Sequence, residues 1–137
     1  MSIRKVTTPA VPEPAGGIFS NCLVVGEQVF LSGMTASGPD GKAIGGDSME
    51  AQARAVFAKI RHLVEAAGAS IADVVKLTIY VTDVARRGEI GRARADAFPG
   101  EKPCSTLIEV KGLVAPDLLI EVDAVAIIGA ARNPANK

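Results

Sequence analysis

Apolar residues recur along this chain with two different periods, and each period marks a kind of element. Met49, Ala53, Val56, Phe57, Ile60, Leu63, Val64 and Ala67 follow helical spacing. Asp47 or Ser48 stands where an N-cap belongs, Glu50 falls in the first turn, and Gly68 supplies a stop. The pattern predicts an amphipathic helix over about 48–67, with Gln52, Arg54, Lys59, Arg61 and Glu65 on its polar face. Shorter apolar and β-branched runs predict strands at 22–25 and 29–32, joined as a hairpin through Gly26, Glu27 and Gln28. Further strands are predicted at 74–81, 105–110 and 118–128, the last two separated by a turn over 112–117. Residues 33–46 hold five glycines and one proline and read as a loop. A second helix over 85–98 is weakened by Gly88 and Gly91 and broken by Pro99 and Gly100.

The order is thus a strand pair, a long helix, a strand, a shorter helix and two strands. It suggests one α/β domain over 1–137, a single sheet with both helices on one face. Residues 1–14, with three prolines, are expected to form an extended arm, and 129–137 a frayed tail. The sheet face without helices would carry an apolar patch, and burial against further copies of the chain is the simplest remedy.

Composition narrows the function classes. Hydrophobic residues make up 48% of the chain and charged residues 22%, which excludes a disordered chain. Fifteen Lys and Arg balance fifteen Asp and Glu, so no global field attracts a polyanion or an anionic membrane. One Tyr, four Phe and no Trp leave little to stack on bases. Small molecules and self-association are therefore the expected partners, with no nucleic acid and no membrane. No apolar run is long enough to span a bilayer or serve as a signal peptide, and Cys22 and Cys104 show no metal or disulfide spacing, which predicts a cytoplasmic protein.

Few residues advertise chemistry. His62 has no second His and no HExxH context, so it reads as structural, and Cys104 lacks a companion base. No nucleotide-binding glycine motif is present, and neither a metal nor another cofactor is expected. Arg86, Arg87, Arg92 and Arg94 read either as a solvated helix face or as an anion site. Glu121 and Asp123 share one face of the last strand, opposite Val122; Glu121 either holds a water or belongs to an ion pair.

Taken together, Phe19-Ser20, Val29 to Gly33, Gln52, Ala66-Ala67-Gly68, Asp73 to Lys76, the strand end 78–83, Pro103 and the run Ile120 to Ala126 resemble the Rid family. This family is also known as YjgF or endoribonuclease L-PSP. The resemblance implies a chorismate-mutase-like α/β fold with one mixed sheet, and a homotrimer with ligand clefts between subunits. It also implies an imine or enamine deaminase in which a strand glutamate, here Glu121, positions the hydrolytic water. The implied substrate contacts are Phe19, Ser32, Gly33, Met34, Gly91, Cys104, Ser105 and Thr106. Ser105 occupies the position at which deaminating members carry a carboxylate-clamping arginine, while Phe19, Met34 and Gly91 replace a Tyr, a Gln and an Asn. Ser105 suits a less acidic ligand, unless an arginine from 86–94 reaches it. The resemblance thus leaves two readings: a divergent Rid-type hydrolase for a small imine or enamine, or a catalytically silent trimeric binding protein for a small metabolite.

Overall fold

Residues 2–132 are described by a computed structural model. Its strands are β1 (Ile3–Val6), β2 (Cys22–Val25), β3 (Gln28–Thr35), β4 (Val74–Val81), β5 (Cys104–Glu109) and β6 (Ile120–Ile127). The helices are α1 (Met49–Ala66) and α2 (Gly91–Ala97). The strands form one mixed sheet in the order β1-β2-β3-β6-β4-β5. All neighbours are antiparallel except β4 and β5, the parallel pair that α2 connects.

Alternation of side chains, interrupted by register shifts in β3 and at the start of β4, divides the sheet into two unlike faces. Val24, Val29, Leu31, Leu77, Ile79, Val81, Ile120, Val122, Ala124 and Ala126 are buried, and so is the apolar stripe of α1, from Met49 to Val64. The edge-to-face contact of Phe57 with Phe98, 5.5 Å between ring centroids, joins α1 to the end of α2. Among the described residues, no helix lies on the opposite face. There Phe30 is 41% and Ile108 43% exposed, with Leu23, Val25, Val125 and Ile127 half-buried beside them.

Local signals placed most boundaries to within two residues. Ser48 is the N-cap of α1, accepting a hydrogen bond from Ala51 N at 3.1 Å, and Gly68 ends the helix at φ 94°. The hairpin is tighter than expected: Val25 pairs with Gln28, so only Gly26 and Glu27 turn, with Gly26 at φ 62°. The predicted loop start at Gly33 is also corrected, since β3 runs on to Thr35 through a register shift between Leu31 and Met34. The second helix divides into a 3-10 segment, Val84–Ile90, and the seven-residue α2, as the low helix propensity of its glycines favours.

Three other expectations need correction. The N-terminal arm contains β1, which pairs with β2 from Ile3↔Val25 to Val6↔Cys22, and Arg4 donates to Ala67 O at 3.0 Å, satisfying a carbonyl at the end of α1. The tail is not frayed over 129–132: Gly129 N and Ala131 N donate to Asp73 at 3.3 and 2.9 Å, and Ala130–Arg132 form a 3-10 turn. The rest of the tail, 133–137, lies outside the described residues. Gln52 is not on the polar face of α1 but fully buried, bonded to Gly46 O, Asp117 O and Leu119 N.

Candidate functional site

The helix-free sheet face carries a polar cluster at its centre. Register puts Glu121 beside Tyr80 and Asp123 beside Thr78, and all four side chains point away from the helices. Tyr80 OH donates to Asp123 Oδ2 at 2.9 Å. That hydrogen bond, then burial and the nearby carboxylates, hold the Tyr80 phenol above its ordinary pKa. Burial, and secondarily the charge of Asp123, raise the pKa of the Glu121 carboxyl. No donor among the described residues bonds to it. A half-buried carboxyl with raised proton affinity and free lone pairs is suited to taking a proton from water and returning it.

Gly33 makes this placement possible. A Cβ built on Gly33 would sit 2.2 Å from Glu121 Oε2, 2.8 Å from its Cδ and 2.9 Å from its Cγ. The shift in the β3–β6 register at Ser32 and Gly33 therefore creates the slot in which the carboxyl lies. Ser32 is held by its own bonds: Oγ donates to Ser20 O at 2.6 Å, and its amide to Asn21 O at 3.0 Å. Buried Asn21 in turn donates to Pro12 O at 3.0 Å, which fastens the N-terminal segment to the slot. Phe19, just before Ser20, is 48% exposed. Met34 is 4% exposed, and its side chain belongs to the core, leaving only its backbone for a ligand.

Gly33→Ala is expected to push the Glu121 carboxyl out of its slot and lower its pKa toward 4.5, at a stability cost of about 1–3 kcal/mol. Gly91→Ala is the control: a Cβ there meets nothing within 4 Å and the backbone is helical, so it is expected to gain up to about 1 kcal/mol. Carbon-detected NMR titration of the Glu121 carboxyl, with thermal melts, reads both effects.

The remaining sequence-predicted residues fall into two groups. Cys104 pairs with Lys76 and Thr106 with Thr78, so both face the Glu121 side; Lys76 Nζ donates to Thr106 Oγ1 at 2.7 Å. Ser105 pairs with buried Leu77 and faces the helices. Within one chain, then, Ser105 and Glu121 lie on opposite faces of the sheet. Arg94 of α2 reaches Ser105, with Nη1 donating to Oγ at 3.2 Å. An arginine from the 86–94 segment therefore stands beside the position where one was missing. Gly91 and Arg94 share a cavity of about 220 Å³ on this side, together with Leu77, Ala95, Phe98, Lys102 and Pro103.

Other candidates have structural partners. Arg86 pairs with Glu89 at 2.6 Å, and Arg87 donates to Val84 O at 3.2 Å. His62 is exposed, as a structural residue on the surface of α1. No group of three or more His, Cys, Asp or Glu is placed to hold a metal among the described residues, and none of their helices is long and apolar enough to cross a membrane. Sequence reasoning missed Tyr80, the Gly33 slot and Lys102. Alternation along β4 carries a signal for Tyr80; no local pattern carries one for the other two.

Comparison with known proteins agrees with the fold. The profile of the Endoribonuclease L-PSP family matches residues 10–128. A RutC family protein of Pyrococcus abyssi is 33% identical over 127 residues, covering 92% of this chain and 98% of that one. A solved Pseudomonas aeruginosa protein of unknown function is 41% identical, with a TM-score of 0.82 and 93% of each chain covered. A solved Mycobacterium tuberculosis member of the YjgF family is 36% identical, with a TM-score of 0.78, covering 93% of this chain and 100% of that one. With most of its length matched by one family profile and its sheet shared with these relatives, the chain belongs to the Rid family, also called YjgF or endoribonuclease L-PSP.

Proposed function

We propose that the chain assembles as a homotrimer whose inter-subunit clefts hydrolyse a small imine or enamine metabolite, with Glu121 as the acid–base group. The observation that carries this reading is the Glu121 carboxyl itself, held in the Gly33 slot with its pKa raised. Trimerisation is supported by the helix-free face, where Phe30 and Ile108 would otherwise remain in water. The opposite facing of Glu121 and Ser105 also supports it, because a cleft that includes both is most simply built from two subunits.

Glu121 takes a proton from water as the water oxygen attacks the imine carbon, and the nitrogen is protonated as the C=N double bond becomes single. Collapse of the carbinolamine expels ammonia and leaves a carbonyl compound. An enamine enters the same sequence after tautomerising to its imine. Phe19, Ser32, Gly33, Thr106 and Cys104 are the proposed contacts from the Glu121 side, with Ser105 and Gly91 from the other.

Light scattering is expected to give three times the 14.1 kDa chain mass, and a mass of one chain overturns the assembly. In an ammonia-release assay on short imines generated in situ, Glu121→Gln is expected to slow turnover by about 10²–10⁴-fold. A trimer with no turnover on any imine or enamine would favour a binding protein over a hydrolase.

A further inference from the structure

Around Glu121 the side chains offer far more hydrogen-bond acceptors than donors. Once ionised, Glu121 and Asp123 only accept. Tyr80 has one proton to give and gives it to Asp123 Oδ2 at 2.9 Å, so its oxygen presents lone pairs alone to a ligand. The proton stays on the phenol, because the bond to Asp123, then burial and the two carboxylates, raise its pKa. Ser32 likewise spends its hydroxyl proton inward, on Ser20 O at 2.6 Å. The hydroxyls of Thr35, Thr78 and Thr106 on this face can give or take a proton and set no preference.

Charge is uneven in the same sense. Strands β4 and β6 bring two carboxylates, Glu121 and Asp123, and one ammonium, Lys76, to this side of the sheet. Lys76 reaches across to β5, where it donates to Thr106 at 2.7 Å, on the side of β4 away from Asp123. Strand β3 holds no charged residue, and Glu109 of β5 pairs with buried Val81 on the other face. Lys5, on the distant β1, is paired with Glu13 at 3.3 Å. A wall rich in lone pairs and in negative charge matches a ligand that brings both protons and positive charge.

We propose that this wall takes the substrate as a protonated iminium, its N–H groups donating to Tyr80 Oη and Asp123 Oδ1 beside Glu121. The inference rests on the hydrolase reading and adds to it the charge of the substrate and two residues that recognise it. The substrate class is then imines basic enough to carry a proton in neutral solution, and the proton that nitrogen needs is already on it when water attacks. As the water oxygen bonds to carbon, the C=N π pair returns to nitrogen and discharges the cation, while the proton lost by water goes to Glu121. Glu121 then returns that proton to the nitrogen, which leaves as ammonia.

Acetamidinium, a planar cation that is not an imine substrate, and its neutral isostere acetamide test the wall by isothermal titration of the full chain at constant ionic strength. Acetamidinium is expected to bind and acetamide to give no heat at the same concentration. Tyr80→Phe and Asp123→Asn are each expected to weaken acetamidinium at least about tenfold, the value of one lost charge-assisted bond. Lys76→Met removes a cation from the same face and is expected to tighten it, a direction that damage to the fold does not produce. Turnover is read separately, in the ammonia-release assay. Absence of turnover with acetamidinium still bound through Tyr80 and Asp123 overturns the hydrolase reading and leaves the cation site standing. Equal binding of acetamidinium and acetamide, no acetamidinium heat in the wild type, or unchanged affinity in both Tyr80→Phe and Asp123→Asn overturns this proposal, even where Glu121→Gln abolishes turnover.

Discussion

Gln52→Leu is expected to destabilise the protein by about 2–4 kcal/mol and to lower Tm by roughly 10 °C. The side chain is fully buried within α1, yet it holds three other points of the chain. Its Nε2 donates to Gly46 O at 2.7 Å and Asp117 O at 2.9 Å, and its Oε1 accepts Leu119 N at 2.9 Å. Leucine has similar bulk and no polar atoms, so it fills the space and strands two carbonyls and an amide. The loop before α1 and the entry to β6 lose their tie together. Glu121 begins two residues after Leu119, so disorder at this clamp is expected to reach the Gly33 slot. Gln52→Glu makes a sharper test: one oxygen can still accept Leu119 N, but the other faces two carbonyl oxygens. It should be at least as damaging as leucine at neutral pH. Thermal melts of both variants check this, and a Tm within about 2 °C of wild type for either would mean that the clamp contributes little.

The second large effect concerns the opposite end of the sheet. Asp73 is buried and accepts Ser70 N at 2.9 Å, Gly129 N at 3.3 Å and Ala131 N at 2.9 Å. Burial works to raise its pKa, but the amide donors and the Ser70 hydroxyl outweigh it and hold the carboxyl below its ordinary value. Because the folded-state pKa is depressed, the stabilisation is fully present above the unfolded value of 3.8 and is lost as pH falls through the folded one. In Asp73→Asn one oxygen becomes an NH₂ group that must face an amide donor. The variant is expected to lose about 1–3 kcal/mol at neutral pH and to release the 129–132 segment from the start of β4. Its stability should also fall less steeply with acid than that of the wild type, since the titrating group is gone. Urea unfolding at pH 7 and below pH 4, with amide exchange at Gly129 and Ala131, measures both. Identical acid dependence in the two proteins would remove Asp73 as the source.

The sequence alone determined the elements whose signals lie in neighbouring residues. Ser48, the stripe from Met49 to Val64 and Gly68 specify α1 because capping, periodicity and termination are all local. The β-branched run of β4 and the alternation of Glu121, Val122 and Asp123 in β6 were legible for the same reason, and ordered motifs along most of the chain were enough to indicate the family. What the tertiary structure decided depends on partners far away in sequence. Strand β1 is four residues long, with Arg and Lys at its centre, and becomes a strand only by pairing with β2. Gln52 looked solvent-facing because its partners lie at 46, 117 and 119. Alternation alone separates Ser105 from Thr106, but only the register of β5 on β4 and of β4 on β6 shows which of them shares a face with Glu121. That register turns Ser105 toward the helices, where Arg94 meets it, and the slot that shapes Glu121 exists because a shift in β3 sets Gly33 against it, two placements that no contiguous stretch of residues encodes.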